Sequence, residues 1–231
     1  MHQVCYPEFL QVALIELKSN LHINKETRSS YGLIDLNLNG INADLLKDKV
    51  EGILLWPIYF AFIFSFNEKL FDEVIKDASD LYKEIDNLSV IPNLIGASYA
   101  GINNHENAVT FYKKALAIDH NNTEILNNLA KSFSAINLYD EAIDTLEKSI
   151  ILDEKNYDTY FNLGIINFNK GEYEESLKNY KHAIKLNNQI DKIYYNMAIT
   201  LSKKGNNKEA INFFLKTLKL NPNHIKALNN I

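Results

Sequence analysis

From residue 89 onward, apolar residues recur at the spacing of one helical face, pause at a short polar break, and recur again. The whole motif returns every 34 residues with no insertion or deletion, giving the rows 89–122, 123–156, 157–190 and 191–224. The seventh place holds Ile95, Leu129, Leu163 and Met197, and the eighth Gly96, Ala130, Gly164 and Ala198. The eleventh holds Tyr99, Phe133, Asn167 and Leu201, so the third row departs there, with Phe168 beside it. The twentieth holds Ala108, Ala142, Ser176 and Ala210, and the twenty-fourth Tyr112, Leu146, Tyr180 and Phe214. The twenty-seventh holds Ala115, Ser149, Ala183 and Thr217, followed by Leu116, Ile150, Ile184 and Leu218.

Each column has a physical reason. Places 4, 7 and 11 lie on one stripe of a first helix, and places 20, 21, 24, 27 and 28 on a stripe of a second. Small residues at places 8, 20 and 27 let two helices approach where a large side chain would overpack. Place 15 holds Asn103, Asn137, Gly171 and Gly205, the residue types that enter the left-handed conformation ending a helix. Acids then open the second helix (Glu106, Asp140, Glu141, Glu174, Glu175 and Glu209), where the positive end of its dipole favours them. Every row therefore predicts a helix, a tight turn and an antiparallel helix, and the chain is expected to be all-α.

Rows such as Tyr160-Phe161-Asn162-Leu163-Gly164, Gly171-Glu172-Tyr173-Glu174-Glu175-Ser176 and Tyr180-Lys181-His182-Ala183-Ile184 resemble the tetratricopeptide repeat family, as does Gly205 through Pro222. Pro92, at place 4 of the first row, departs from that pattern but sits in a first turn, where proline is tolerated. The resemblance implies a right-handed superhelical array of antiparallel helix pairs, an α-α superhelix or solenoid. It also implies that first helices line a concave groove that binds an extended polypeptide segment. Place 6 on the first helix holds Leu94 and then Asn128, Asn162, Asn196 and Asn230. This run is similar to the asparagine ladder in the repeat array of the protein O-linked N-acetylglucosamine transferases. Repeated amides can hold a peptide's main chain while ignoring its side chains. Helix packing alone would account for the same asparagines equally well. Neighbouring candidates are Asn93, Asn127, Phe161, Tyr195 and Asn229 at place 5, Lys131 at place 9, and Asp158, Lys192 and Lys226 at place 2. The peptide-binding set is thus Asn127, Asn128, Lys131, Phe161, Asn162, Lys192, Tyr195 and Asn196. Family members that clamp carboxylates use an arginine where Asn196 stands, so the bidentate grip is missing.

The ends are less regular. Residues 1–54 read as a helical amino-terminal region or cap, with helices over 8–19 and 42–54 around a loop-like stretch. Residues 55–88 read as a degenerate fifth repeat: Ile58, Ala61, Phe62 and Ser65 fit a first helix, and Phe71-Asp72-Glu73-Val74-Ile75 opens a second. Gly52 to Asn67 carries no formal charge, but at 16 residues it is short of the roughly 20 a bilayer crossing needs. Alternation of Phe60, Phe62, Phe64 and Phe66 also suits a buried strand, which stays open. Residues 225–231 begin a truncated further repeat. Stacked repeats need a polar cap, so this face is expected to continue in a longer protein or to be covered by another chain, self-association included.

Composition narrows the chemistry. Twenty-four basic against twenty-nine acidic residues give a net charge of −5, and Arg28 is the only arginine, so no nucleic-acid footprint exists. Cys5 is the only cysteine, which points to a reducing compartment and a cytoplasmic location. The amino terminus lacks a signal-peptide pattern. The six histidines occupy unrelated places and none falls at metal-ligand spacing, and no Walker loop or nucleophile elbow occurs. No catalytic residue, metal or cofactor is expected. The reading is a protein–protein interaction scaffold, and its rival is the non-catalytic portion of a larger enzyme, such as a glycosyltransferase, whose catalytic domain would follow residue 231.

Overall fold

The computed structural model describes residues 70–84 and 86–231. The chain divides into two compact units, Met1–Leu88 and Ser89–Ile231. In the first, α1 (Phe71–Glu84) occupies the stretch expected to be the second helix of residues 55–88. The expectations for residues 1–54, for the uncharged run Gly52–Asn67 and for the phenylalanine alternation lie outside the described residues.

The second unit is built from helices alone among its described residues: α2 (Val90–Gly101), α3 (His105–Ile118), α4 (Thr123–Ala135), α5 (Tyr139–Leu152), α6 (Tyr157–Lys170), α7 (Tyr173–Leu186), α8 (Asp191–Lys203), α9 (Asn207–Leu220) and the short α10 (Ile225–Leu228). They pair as the rows demand, α2 with α3, α4 with α5, α6 with α7 and α8 with α9. The result is an all-α right-handed array of antiparallel hairpins. First helices also touch one another across repeats, α2 with α4, α4 with α6 and α6 with α8, whereas second helices do not do so to a comparable degree. The first helices therefore lie on the tighter, inner side of the curve.

The four residues at place 15 all have positive φ: Asn103 (60°), Asn137 (63°), Gly171 (90°) and Gly205 (83°). A Cβ added at Gly171 would meet nothing within 4 Å, so its cost there is backbone strain alone. Gly171→Ala is expected to lower stability by about 1–2 kcal/mol, and Gly171→Asn by less, as read from denaturant midpoints. Asparagine also starts helices. Asn104, Asn122 and Asn156 accept, through Oδ1, the backbone N–H of Asn107, Ile125 and Asp158 at 3.3, 3.1 and 3.0 Å.

First helices bury more than the stripe at places 4, 7 and 11. Places 3 and 10 are closed as well: Ile125, Thr159 and Ile193, with Ser132, Ile166 and Thr200, are each at most 2% exposed. A first helix inside the stack is enclosed by its own partner on one side and the preceding hairpin on the other. Leu163 and Ile166 of α6 accordingly join a core with Ile125, Leu129 and Leu146, while Tyr160 of the same helix joins one with Tyr180, Met197 and Phe214. Ion pairs repeat the same register: Lys170 reaches Asp140 at 2.9 Å, and Lys204 pairs with Glu174, each joining place 14 to place 18 of the preceding row.

Candidate functional site

Asn127, Asn128, Lys131, Phe161, Asn162, Lys192, Tyr195 and Asn196 lie on the first helices α4, α6 and α8, but the asparagines there are not equivalent. Asn127 is buried at 6% exposure. Its Nδ2 donates to the Thr123 carbonyl at 2.8 Å, to Ser149 Oγ at 3.1 Å and to Thr159 Oγ1 at 3.0 Å. The two hydroxyls lie 3.3 Å apart and complete the cluster. The amide orientation of Asn127 is thereby set, and its Oδ1 accepts Nδ2 of Asn162 at 2.7 Å. Asn196 instead donates to the Lys192 carbonyl at 2.9 Å, and Asn230 to the Lys226 carbonyl at 2.6 Å, each within its own helix. Asn128, Asn162 and Asn196 are half-buried.

Asn127→Leu removes the donor that Ser149 and Thr159 share and leaves Asn162 without its acceptor. A loss of about 1–3 kcal/mol is expected in chemical denaturation, with helix content unchanged below the transition.

Along the groove the chemistry changes. In the second row, Lys131 and Glu124 both touch solvent, yet burial pulls the Lys131 pKa below the usual lysine range, opposed by the charges of Asp158 and Glu124. Burial likewise pushes the Glu124 carboxyl up, opposed by Lys131. Protein around each group displaces solvent on several sides even though part of the side chain meets water. In the third and fourth rows places 5 and 9 are apolar, while place 2 stays charged in Asp158 and Lys192. Phe161 lies 6.0 Å from the ring of Tyr180, and Tyr195 lies 5.8 Å from Phe214 and 4.6 Å from His224, centroid to centroid. Ile165 and Ile199, at place 9 on α6 and α8, are half-buried beside them. The sequence reading passed over these two isoleucines, although reading down the place 9 column from Lys131 reaches both. Lys192 is exposed at the start of α8.

Among the described residues no group of three or more histidine, cysteine or acidic side chains could hold a metal, and no helix is long and apolar enough to cross a membrane.

Stacked antiparallel hairpins define a helical repeat protein. Family models of the tetratricopeptide repeat match residues 93–122 and 123–156, 166–205, and 191–224. The chain carries tetratricopeptide repeats through this unit. Among solved structures it is similar to MamA, at 23% identity over 70% of this chain and 95% of that one, with a TM-score of 0.61. It is also similar to YrrB, described as "a TPR protein with an unusual peptide-binding site", at 17% identity over 80% and 95% with a TM-score of 0.58. PilF of Pseudomonas aeruginosa follows at 16% identity over 73% and 77%, with a TM-score of 0.63. At these identities the likeness is one of fold. No curated protein matches the sequence. Nothing links the chain to the O-linked N-acetylglucosamine transferases, and no enzyme family is indicated.

Proposed function

We propose that residues 89–231 hold an extended polypeptide segment, non-covalently, along the inner side of the first helices, making the protein an interaction scaffold. One observation carries this reading: Asn162, half-buried on the inner side, is held by an amide that is itself locked in the interior. With its Nδ2 engaged by Asn127, Asn162 offers Oδ1 to a peptide N–H, and Asn196 does the same with its Nδ2 engaged by its own helix. Asn127 then acts by orienting Asn162 rather than by meeting the peptide. A preordered acceptor loses little freedom on binding, which favours affinity. Phe161, Ile165, Tyr195 and Ile199 provide shallow apolar contacts, and Lys131 and Lys192 add charge. The peptide-binding site named for YrrB supports a peptide ligand for this fold.

A test begins with a peptide selected by display against the wild-type chain. Replacing Asn128, Asn162 and Asn196 together by alanine is expected to weaken its binding about tenfold or more in calorimetric titration, with the melting temperature little changed. Unchanged affinity would discard the groove contact.

A further inference from the structure

The outer side of the stack holds a second, unassigned surface. Places 18, 22 and 25 of the second helices are exposed in every row. On α3 they are Glu106, Thr110 and Lys113, and on α7 Glu174, Lys178 and Lys181, both of mixed sign. On α5 all three are acidic: Asp140, Asp144 and Glu147. On α9 they are Lys208, Asn212 and Leu215.

The acidic stripe borders a cleft of about 540 Å³ between α5 and α7, with Ile143, Ile150 and Leu163 supplying apolar lining. The lysines there are committed: Lys170 pairs with Asp140 and Glu172 at 2.9 and 2.7 Å, and Lys178 with Glu175 at 3.1 Å. Asp144 and Glu147 have no ion-pair partner among the described residues. The cleft thus combines an apolar lining with uncompensated negative charge on one wall.

Helix α9 has the opposite character. Ile211 and Leu215 are 37% and 51% exposed and stand one helical turn apart, the i, i+4 spacing by which a helix fills a groove. Leu215 stands where the other rows place Lys113, Glu147 and Lys181, so the stack itself does not require an apolar group there. Lys208 is equally out of place. It lies in the first turn of α9, where the other rows have acids and the helix dipole disfavours a cation. Two departures from the repeat's own rule, on one helix and both matching the α5–α7 cleft, call for a gain elsewhere.

We infer that the occupant of the α5–α7 cleft is α9 of a second copy of this chain, with Ile211 and Leu215 against its apolar lining and Lys208 and Lys219 meeting Asp144 and Glu147. Cleft and ridge sit on different parts of one chain, so the contact is head-to-tail and leads to rings or open chains of copies. It is independent of peptide binding on the inner side.

Sedimentation equilibrium of the full chain tests this with two variants altered only at exposed positions. Asp144→Lys with Glu147→Lys spoils the cleft, and Lys208→Glu with Leu215→Glu spoils the ridge. The wild-type average mass is expected to rise with concentration up to about 200 μM, and to fall back by tenfold or more in association constant at about 0.5 M salt. Each variant alone stays monomeric, because each retains only half of the contact. Their equimolar mixture forms a two-chain complex, because one intact cleft meets one intact ridge. Should either double variant lose helical circular dichroism, Leu215→Ala alone is expected to weaken self-association about fivefold or more. A wild type that remains monomeric throughout overturns the inference, as do variants that associate as tightly as wild type or a mixture that stays monomeric. The Asn128, Asn162 and Asn196 triple variant is expected to associate like wild type, keeping this result separate from the groove.

Discussion

Gly164→Ala is expected to lower the stability of the repeat unit by about 3 kcal/mol, although alanine is the better helix former by about 1 kcal/mol. A Cβ at residue 164 would stand 2.3 and 2.4 Å from ring carbons of Tyr180, far inside van der Waals contact. Tyr180 cannot retreat. It is 1% exposed and enclosed in the core it shares with Tyr160, Met197 and Phe214. The backbone is pinned too, since Ser176 Oγ donates to the Gly164 carbonyl at 2.7 Å. Gly96→Ala should cost much less, because the corresponding approaches to Tyr112 are 2.9, 2.9 and 3.2 Å. The coupling is visible across rows: Gly96 and Gly164 face tyrosines at place 24, while Ala130 and Ala198 share their rows with Leu146 and Phe214. Adding Tyr180→Leu to Gly164→Ala should therefore recover part of the loss. Thermal or urea denaturation of the four proteins in that cycle reads the coupling directly.

Leu146→Ala is expected to cost about 3–4 kcal/mol. Leu146 is fully buried on α5, in the core that spans α3 to α6, so truncation leaves a cavity bounded by two repeats. In a stack where each hairpin is supported by its neighbours, that loss is felt beyond its own row. Leu215→Ala, the same chemical change at a residue 51% exposed, should alter the stability of the monomer by no more than about 0.5 kcal/mol. Denaturant midpoints at low protein concentration separate the two, since any contact between copies would then be dissociated.

Much of this was legible in the chain. Repetition at 34 residues exposes the hairpins, because a helix pair that cannot bury its own apolar face must repeat the face its neighbour covers. Place 15 announced its left-handed residues, since only glycine and asparagine tolerate that backbone readily, and all four have positive φ. Burial at places 3 and 10 was hidden, because Thr159, Ser132 and Thr200 do not read as core residues. Their hydroxyls are acceptable in the interior only where a partner is at hand, and for Thr159 that partner is Asn127, 32 residues earlier.

Asn127 and Asn128 marks the boundary between the two kinds of knowledge. Both carry the same amide and both fall on the helix face that a repeat alignment assigns to the groove. Local periodicity determined the helices, their turns and the pairing within each hairpin, because those depend on spacing along the chain, while the right-handed stack was implied by the family resemblance. Which amide turns inward, which lysine loses water, and where an acidic cleft opens between second helices were decided only when distant helices met. A side chain's hydration and partners are set by the neighbours that crowd it in space, and those come from other repeats.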